Sequence, residues 1–174
     1  MFEEVGEALS EIQKQVRRSK LDEEIETKSE QLADLDKQEA ILKTKISKNK
    51  DIRDVYTNML FNLEKNIDSV YKDISDDYAE DCGKKCHKKI AKDEFTSKWL
   101  SKHPAIKIQL ENNIKQKESF EDLIKSIKKE IERDNLKLNG DPDSYIPDAR
   151  LGIIGQMEKL EKEIESLKLK RAQI

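Results

Sequence analysis

The sequence predicts an all-α protein: a long, highly charged helical hairpin of coiled-coil type that forms oligomers. Three observations carry this prediction. Of 174 residues, 41% are charged and only 35% hydrophobic, with a mean hydropathy of −0.89. That is too little apolar material for an ordinary core at this length. Five Gly and three Pro leave Lys, Glu, Leu and Ile to dominate, a composition of long helices rather than sheets. Apolar residues also recur at alternating three- and four-residue steps, the period of left-handed coiled coils. An α/β enzyme is thereby excluded, and two cysteines exclude a disulfide-rich secreted module. The start, Met1 to Glu7, has neither the basic nor the apolar region of a signal peptide. No apolar run approaches the length of a membrane span. The expectation is a soluble, cytoplasmic protein that touches no membrane.

The first element is a coiled-coil helix over 1–80. Leu21, Ile25, Leu32, Leu35, Leu42 and Ile46 share one face, with Lys28 and Glu39 interrupting it. Beyond a break near Asn49 the stripe resumes as Ile52, Tyr56, Met59, Leu63, Ile67, Val70 and Ile74, a slip that resembles a stammer. Between Gly6 and Gly83 there is no Gly or Pro, so nothing interrupts a helix about 110 Å long. A helix of that length cannot bury its stripe against itself. The next segment, 81–104, is a basic hairpin tip, punctuated by Gly83 and Lys102-His103-Pro104.

Proline in a first turn suits a new helix, here a return helix over 105–139. Its apolar side is Ile106, Leu110, Ile114, Phe120, Ile124, Ile127, Ile131 and Leu138, with Asn139-Gly140 as C-cap. A loop over 140–148 follows, rich in Gly, Asp and Pro. Asp148 is placed to cap a final heptad helix, 149–174, in which Ile153, Met157, Leu160, Ile164 and Leu167 step four and three. A two-helix hairpin has little interior, so its seam needs further chains. The expected remedy is self-association, and the seam residues leave the number of chains open.

Charge is divided along the chain. Residues 1–36 sum to −6, 37–72 to +3, 73–81 to −5 and 82–107 to +6. The basic segment holds Lys84, Lys85, Lys88, Lys89, Lys92, Lys98, Lys102 and Lys107 with Phe95 and Trp99 among them. Lysines neutralise phosphates with salt-dependent, sequence-tolerant affinity, and aromatic rings stack single-stranded bases. The bland alternative is that Trp99 and Leu100 plug the hairpin while the lysines solvate it. Both readings stand on these residues. Cys82, Cys86 and His87, with His103 further on, are the only metal-ligand types in one cluster. Cys-x3-Cys-His falls short of a full zinc set, and two reduced cysteines near a helix bend account for it. No phosphate loop, zinc-protease motif or nucleophile elbow is present, so neither enzymatic activity nor a cofactor is expected.

Ser97-Lys98-Trp99-Leu100-Ser101-Lys102-His103-Pro104-Ala105-Ile106-Lys107 resembles a segment of the UvsY-type recombination mediators of T-even bacteriophages, whose pattern reads Ser-Lys-Trp-Leu-x-Lys-His-x-x-Ile-Lys. A loop with Gly140, Asp141 and Asp143 is similar in order. The resemblance is specific over about eleven residues and reaches 95–145 at most. It implies a non-enzymatic oligomer that binds single-stranded DNA and helps load a recombinase, in a host cytoplasm if phage-encoded. Lys98, Lys102 and Lys107 fall within the matching motif. The family's basic DNA-contacting stretch has its nearest counterpart in Lys125, Lys128 and Lys129, interleaved here with Glu121, Asp122, Glu130 and Glu132. The leading expectation is therefore a nucleic-acid-binding accessory of recombination or repair, with the tip and the following helix holding the phosphate backbone and Trp99 or Phe95 stacking bases. The alternative, of a different class, is a structural or assembly coiled coil, a scaffold or adaptor that binds protein partners and no nucleic acid. A third is a hairpin linked to its neighbour by zinc at Cys82 and Cys86.

Overall fold

The computed structural model describes residues 1–84 and 91–174. Among the described residues there are four helices and no strand: α1 (Phe2–Lys84), α2 (Lys92–Lys102), α3 (Pro104–Asn139) and α4 (Pro147–Ala172). Two compact units divide them. One comprises Met1–Lys48 with Ile131–Ile174, the other Asn49–Glu130.

The covered positions of α1 step three and four without interruption from Arg18 to Ile74. The slip predicted near 46–52 is therefore absent. Ile52 and Met59 are exposed, and Asn49, Arg53 and Leu60 take the covered places. The reason lies in phase: Ile46 and Ile74 are separated by whole heptads, so both fall on the same position of one repeat along α1, which a slip between them would break. Polar side chains simply occupy the positions in between. The amide nitrogen of Asn49 is buried without a hydrogen-bond partner, which costs stability at this position.

In the first unit, α1 and α4 are antiparallel, because Lys28 meets Glu163 at 2.7 Å while Asp22, earlier in α1, accepts a hydrogen bond from Arg171, later in α4. The Lys28 ammonium, by hydrogen bonding, holds the Glu163 carboxyl below the ordinary range. Ile153, Met157, Leu160, Ile164 and Leu167 all lie on the covered side, as their spacing predicts. Here α3 contributes Ile131 and Leu138, both buried, and between them Asp134, only 2% exposed. The sequence reading passed over Asp134, although it sits on the heptad between Ile131 and Leu138. Its Oδ2 stands 3.4 Å from Lys45 Nζ, within ion-pair range, yet completes no hydrogen bond. A buried carboxylate oxygen left without a hydrogen bond keeps its desolvation cost. Asp134→Leu removes that acceptor, and the Lys45 side chain, 47% exposed, remains hydrated without it. The substitution is expected to raise stability by about 1–3 kcal/mol, read as a higher midpoint in urea denaturation; a lower midpoint contradicts this account.

The connection from α3 to α4 is held by hydrogen bonds. Asp141 N–H donates to Ala149 O at 2.9 Å, and the Arg150 guanidinium donates to Ser144 O. The Asp143 and Ile146 amides donate to the side chains of Asp141 and Ser144. Gly140 ends α3 with φ +102°, as its C-cap spacing predicts. The capping role expected of Asp148 is not found. Helix α4 opens two residues earlier, at Pro147, with Ile146 as N-cap and no side-chain cap bond. Proline needs no N–H partner in a first turn and its ring already holds a helical φ. Inside α4, Gly152 leaves helical geometry with φ +69° and ψ 178°, a kink that heptad counting does not reveal.

In the second unit, α1 and α3 are again antiparallel. Tyr56 meets Phe120 with ring centroids 5.5 Å apart, and Glu64 meets Lys117 at 3.9 Å. Ile74 and Leu110 are its most deeply buried residues, at 1% and 3% exposure. The apolar positions predicted for α3 all lie on its covered side. Among the described residues no helix is long and apolar enough to cross a membrane.

Candidate functional site

The basic segment predicted as a tip contains a helix of its own. α2 runs over Lys92–Lys102 with Asp93 and Glu94 in its first turn and Lys102 in its last, each sign at the end of the helix dipole that favours it. It stops at His103, whose N–H donates to Leu100 O at 3.1 Å. Pro104 follows, and the residue before a proline is driven out of helical geometry.

Phe95 and Trp99 lie one turn apart on α2 and both turn toward α1. The Trp99 indole N–H donates to Asp77 Oδ2 at 2.7 Å, and Phe95 packs edge-on against Tyr78 at 5.2 Å. The His103 ring stacks on Trp99 at 3.9 Å, and its Nδ1 lies 2.8 Å from Trp99 O. Trp99 is thus tied at its edge and covered on one face. Asp77 and Tyr78 were not singled out from sequence. No local pattern marks them: Asp77 and Tyr78 are consecutive on α1 and so share no helix face, whereas Phe95 and Trp99 are one turn apart on α2.

The basic residues are arranged differently. Lys92, Lys98, Lys102 and Lys107 are exposed. Lys98 pairs with Glu94 at 3.2 Å. Lys125, Lys128 and Lys129 are exposed on α3. Lys85, Cys86, His87, Lys88 and Lys89 lie outside the described residues, as do the side chains of Cys82 and Lys84. His103, the remaining member of the zinc set, spends Nδ1 on its own helix and one ring face on Trp99. Among the described residues, no three His, Cys, Asp or Glu side chains gather as a metal site.

A second feature, absent from the sequence reading, lies in the first unit. A groove of about 620 Å³ runs beside Ile41, Leu42, Leu136 and Ile153, with Arg133 and Asp148 among its polar lining residues. Ile41 is 67% exposed. A groove with an apolar floor and charged edges suits an apolar side chain of another helix, anchored by rim contacts. Its sequence signal was Gly152-Ile153: Gly152 lets α4 approach the backbone of Asn139 and Gly140, and Ile153 lines the groove.

No protein-family model matches the chain, and no curated protein or solved structure matches it.

Proposed function

We propose that the chain is a non-enzymatic coiled-coil protein that folds as a helical hairpin and works by assembly, joining copies of itself and protein partners. One observation carries the reading. Apolar side chains remain outside the covered seam in both units, Phe2 and Leu9 in the first and Ile52, Val55 and Met59 in the second, while Lys28, Glu39, Asn49 and Arg53 occupy the seam itself. Solvent-facing apolar rows on charged helices are interaction surfaces, and polar seam residues select register and partner at a cost in stability. The open groove beside Ile41 adds a third surface of the same kind. Avidity across several weak surfaces would give a scaffold or adaptor its strength.

A second reading has its own support. Lys92, Lys98, Lys102 and Lys107 form an exposed basic row, and residues 97–107 carry the resemblance to phage recombination mediators. In that reading the row holds the phosphates of single-stranded DNA, and a recombinase is the protein partner. The anchoring of Trp99 on Asp77 and of Phe95 on Tyr78 counts against base stacking, since both rings already have partners.

Titration with a single-stranded oligodeoxynucleotide, following Trp99 fluorescence, separates the two. The assembly reading expects no change at low salt, where attraction to phosphate is strongest. Quenching that falls steeply with salt and disappears in Lys98→Glu/Lys102→Glu would replace it with the nucleic-acid reading.

A further inference from the structure

We infer that the loop between α3 and α4 is a plug for the groove beside Ile41 on a second copy of the chain, so that two copies exchange loops across a two-fold axis. The loop is built to hold side chains outward. Tyr145 at its tip is 97% exposed, and Ile146 beside it 64%. Pro142 and Pro147 bracket the pair and fix the backbone on either side. The Asp141 and Ile146 amides and the Arg150 guanidinium all donate hydrogen bonds within this segment. Its shape is therefore set before a partner arrives, and docking costs little ordering entropy. A tyrosine held rigidly in solvent next to an aliphatic neighbour is the kind of anchor on which interfaces concentrate their energy.

The groove supplies the matching receptor. Its volume of about 620 Å³ lies in the range of sites that take a small ligand, ample for the loop tip. Arg133 and Lys137, one turn apart on α3, line it beside the apolar floor. Among the described residues neither has an ion-pair partner. Its two acids, Asp141 and Asp148, belong to the base of the loop, and Asp141 already accepts the Asp143 amide. The free charge at the groove is thus mainly positive, whereas the loop tip carries Asp143, exposed two residues before Tyr145. An acidic partner would suit the groove and be repelled by the tip, and a basic one the reverse. A second copy satisfies both. The chain does not fill its own groove, because Tyr145 stands almost wholly in solvent. Asp141 and Asp148 line the groove and bracket the tip, so plug and groove are neighbours. A copy whose plug enters one groove therefore brings its own groove to the first copy's plug, the reciprocal contact of an isologous interface. Tyr145 and Ile146 leave water for the partner's Ile41 and the partner's Leu136, and Asp143 meets the partner's Arg133 and the partner's Lys137.

The inference rests on the assembly reading for self-association and adds the surface that performs it. Sedimentation equilibrium of the full chain over a concentration series should show the 20.3 kDa mass rising toward twice that value. Tyr145→Ser/Ile146→Ser should hold the mass at the monomer with unchanged circular dichroism. Both side chains are exposed, and serine is favoured at the N-cap position that Ile146 holds, so the fold is left intact. Charge gives a second readout. Asp143→Lys, and separately Arg133→Glu/Lys137→Glu, should each weaken association by about tenfold or more. All three substitutions in one chain should restore it, since the exchanged charges again face each other. Association that survives Tyr145→Ser/Ile146→Ser, or that the triple variant fails to restore, overturns the inference and leaves assembly by other faces standing. A parent chain that stays monomeric at every concentration overturns both the inference and self-association, and leaves the groove to a different protein.

Discussion

Gly152→Ala is expected to lower the stability of the chain by about 2–5 kcal/mol, the sum of backbone strain and overpacking. At φ +69° and ψ 178° the residue occupies a region that L side chains rarely enter. Space is equally restrictive. A Cβ at this position would lie 2.7 Å from the Asn139 carbonyl carbon and 2.8 Å from Gly140 Cα, and closer still to Gly140 N. Those atoms are backbone and cannot swing aside. Gly140, itself at φ +102°, is the matching half of the contact, so relief on one side strains the other. Gly6→Ala supplies the control: it lies in a helix with open space around it, and gains about 0.5–1 kcal/mol of helix propensity. Urea denaturation of the two variants beside the parent checks the contrast. Equal midpoints for Gly152→Ala and the parent would remove the close approach of loop and helix from this account.

Ile74→Ala should cost about 2–5 kcal/mol, the range for truncating a fully buried isoleucine, whereas Ile52→Ala should stay within about 0.5 kcal/mol of the parent. The two positions differ by 1% against 43% exposure, though both are isoleucines on the same helix. Their comparison also tests the register. Were the seam to slip near 46–52, Ile52 would be a seam residue and its truncation would approach the cost at Ile74. Thermal unfolding of both variants, with the full chain at one fixed concentration to keep self-association constant, distinguishes the cases.

Much of the fold was legible because helices are local objects. Pro104 and Gly140 marked the ends of α3 to within a residue, and every apolar residue assigned to the covered side of α3 and α4 lies there. The errors came where polar residues took apolar places. Asn49, Arg53 and Asp134 hold seam positions, and a reading that follows only hydrophobic residues jumps past them to Ile52 and Met59. At the basic segment, Phe95 and Trp99 were recognised as special, but their partners were not. Asp77 and Tyr78 lie within an acidic run, and nothing along the chain says which of its members an indole N–H will reach.

Composition and period by themselves determined that this chain is helical, where its long helices run and which faces are apolar. Those properties depend on residues three and four apart, and a helix brings such residues together whatever surrounds it. Tertiary structure alone decided which polar residues are buried, which aromatic rings are committed and where the backbone must be glycine. Each of these depends on atoms distant in sequence: Lys45 beside Asp134, Asp77 under Trp99, and the Gly140 backbone against Gly152. Burial and hydrogen bonding are settled by the neighbour across the seam, and local pattern carries no record of that neighbour.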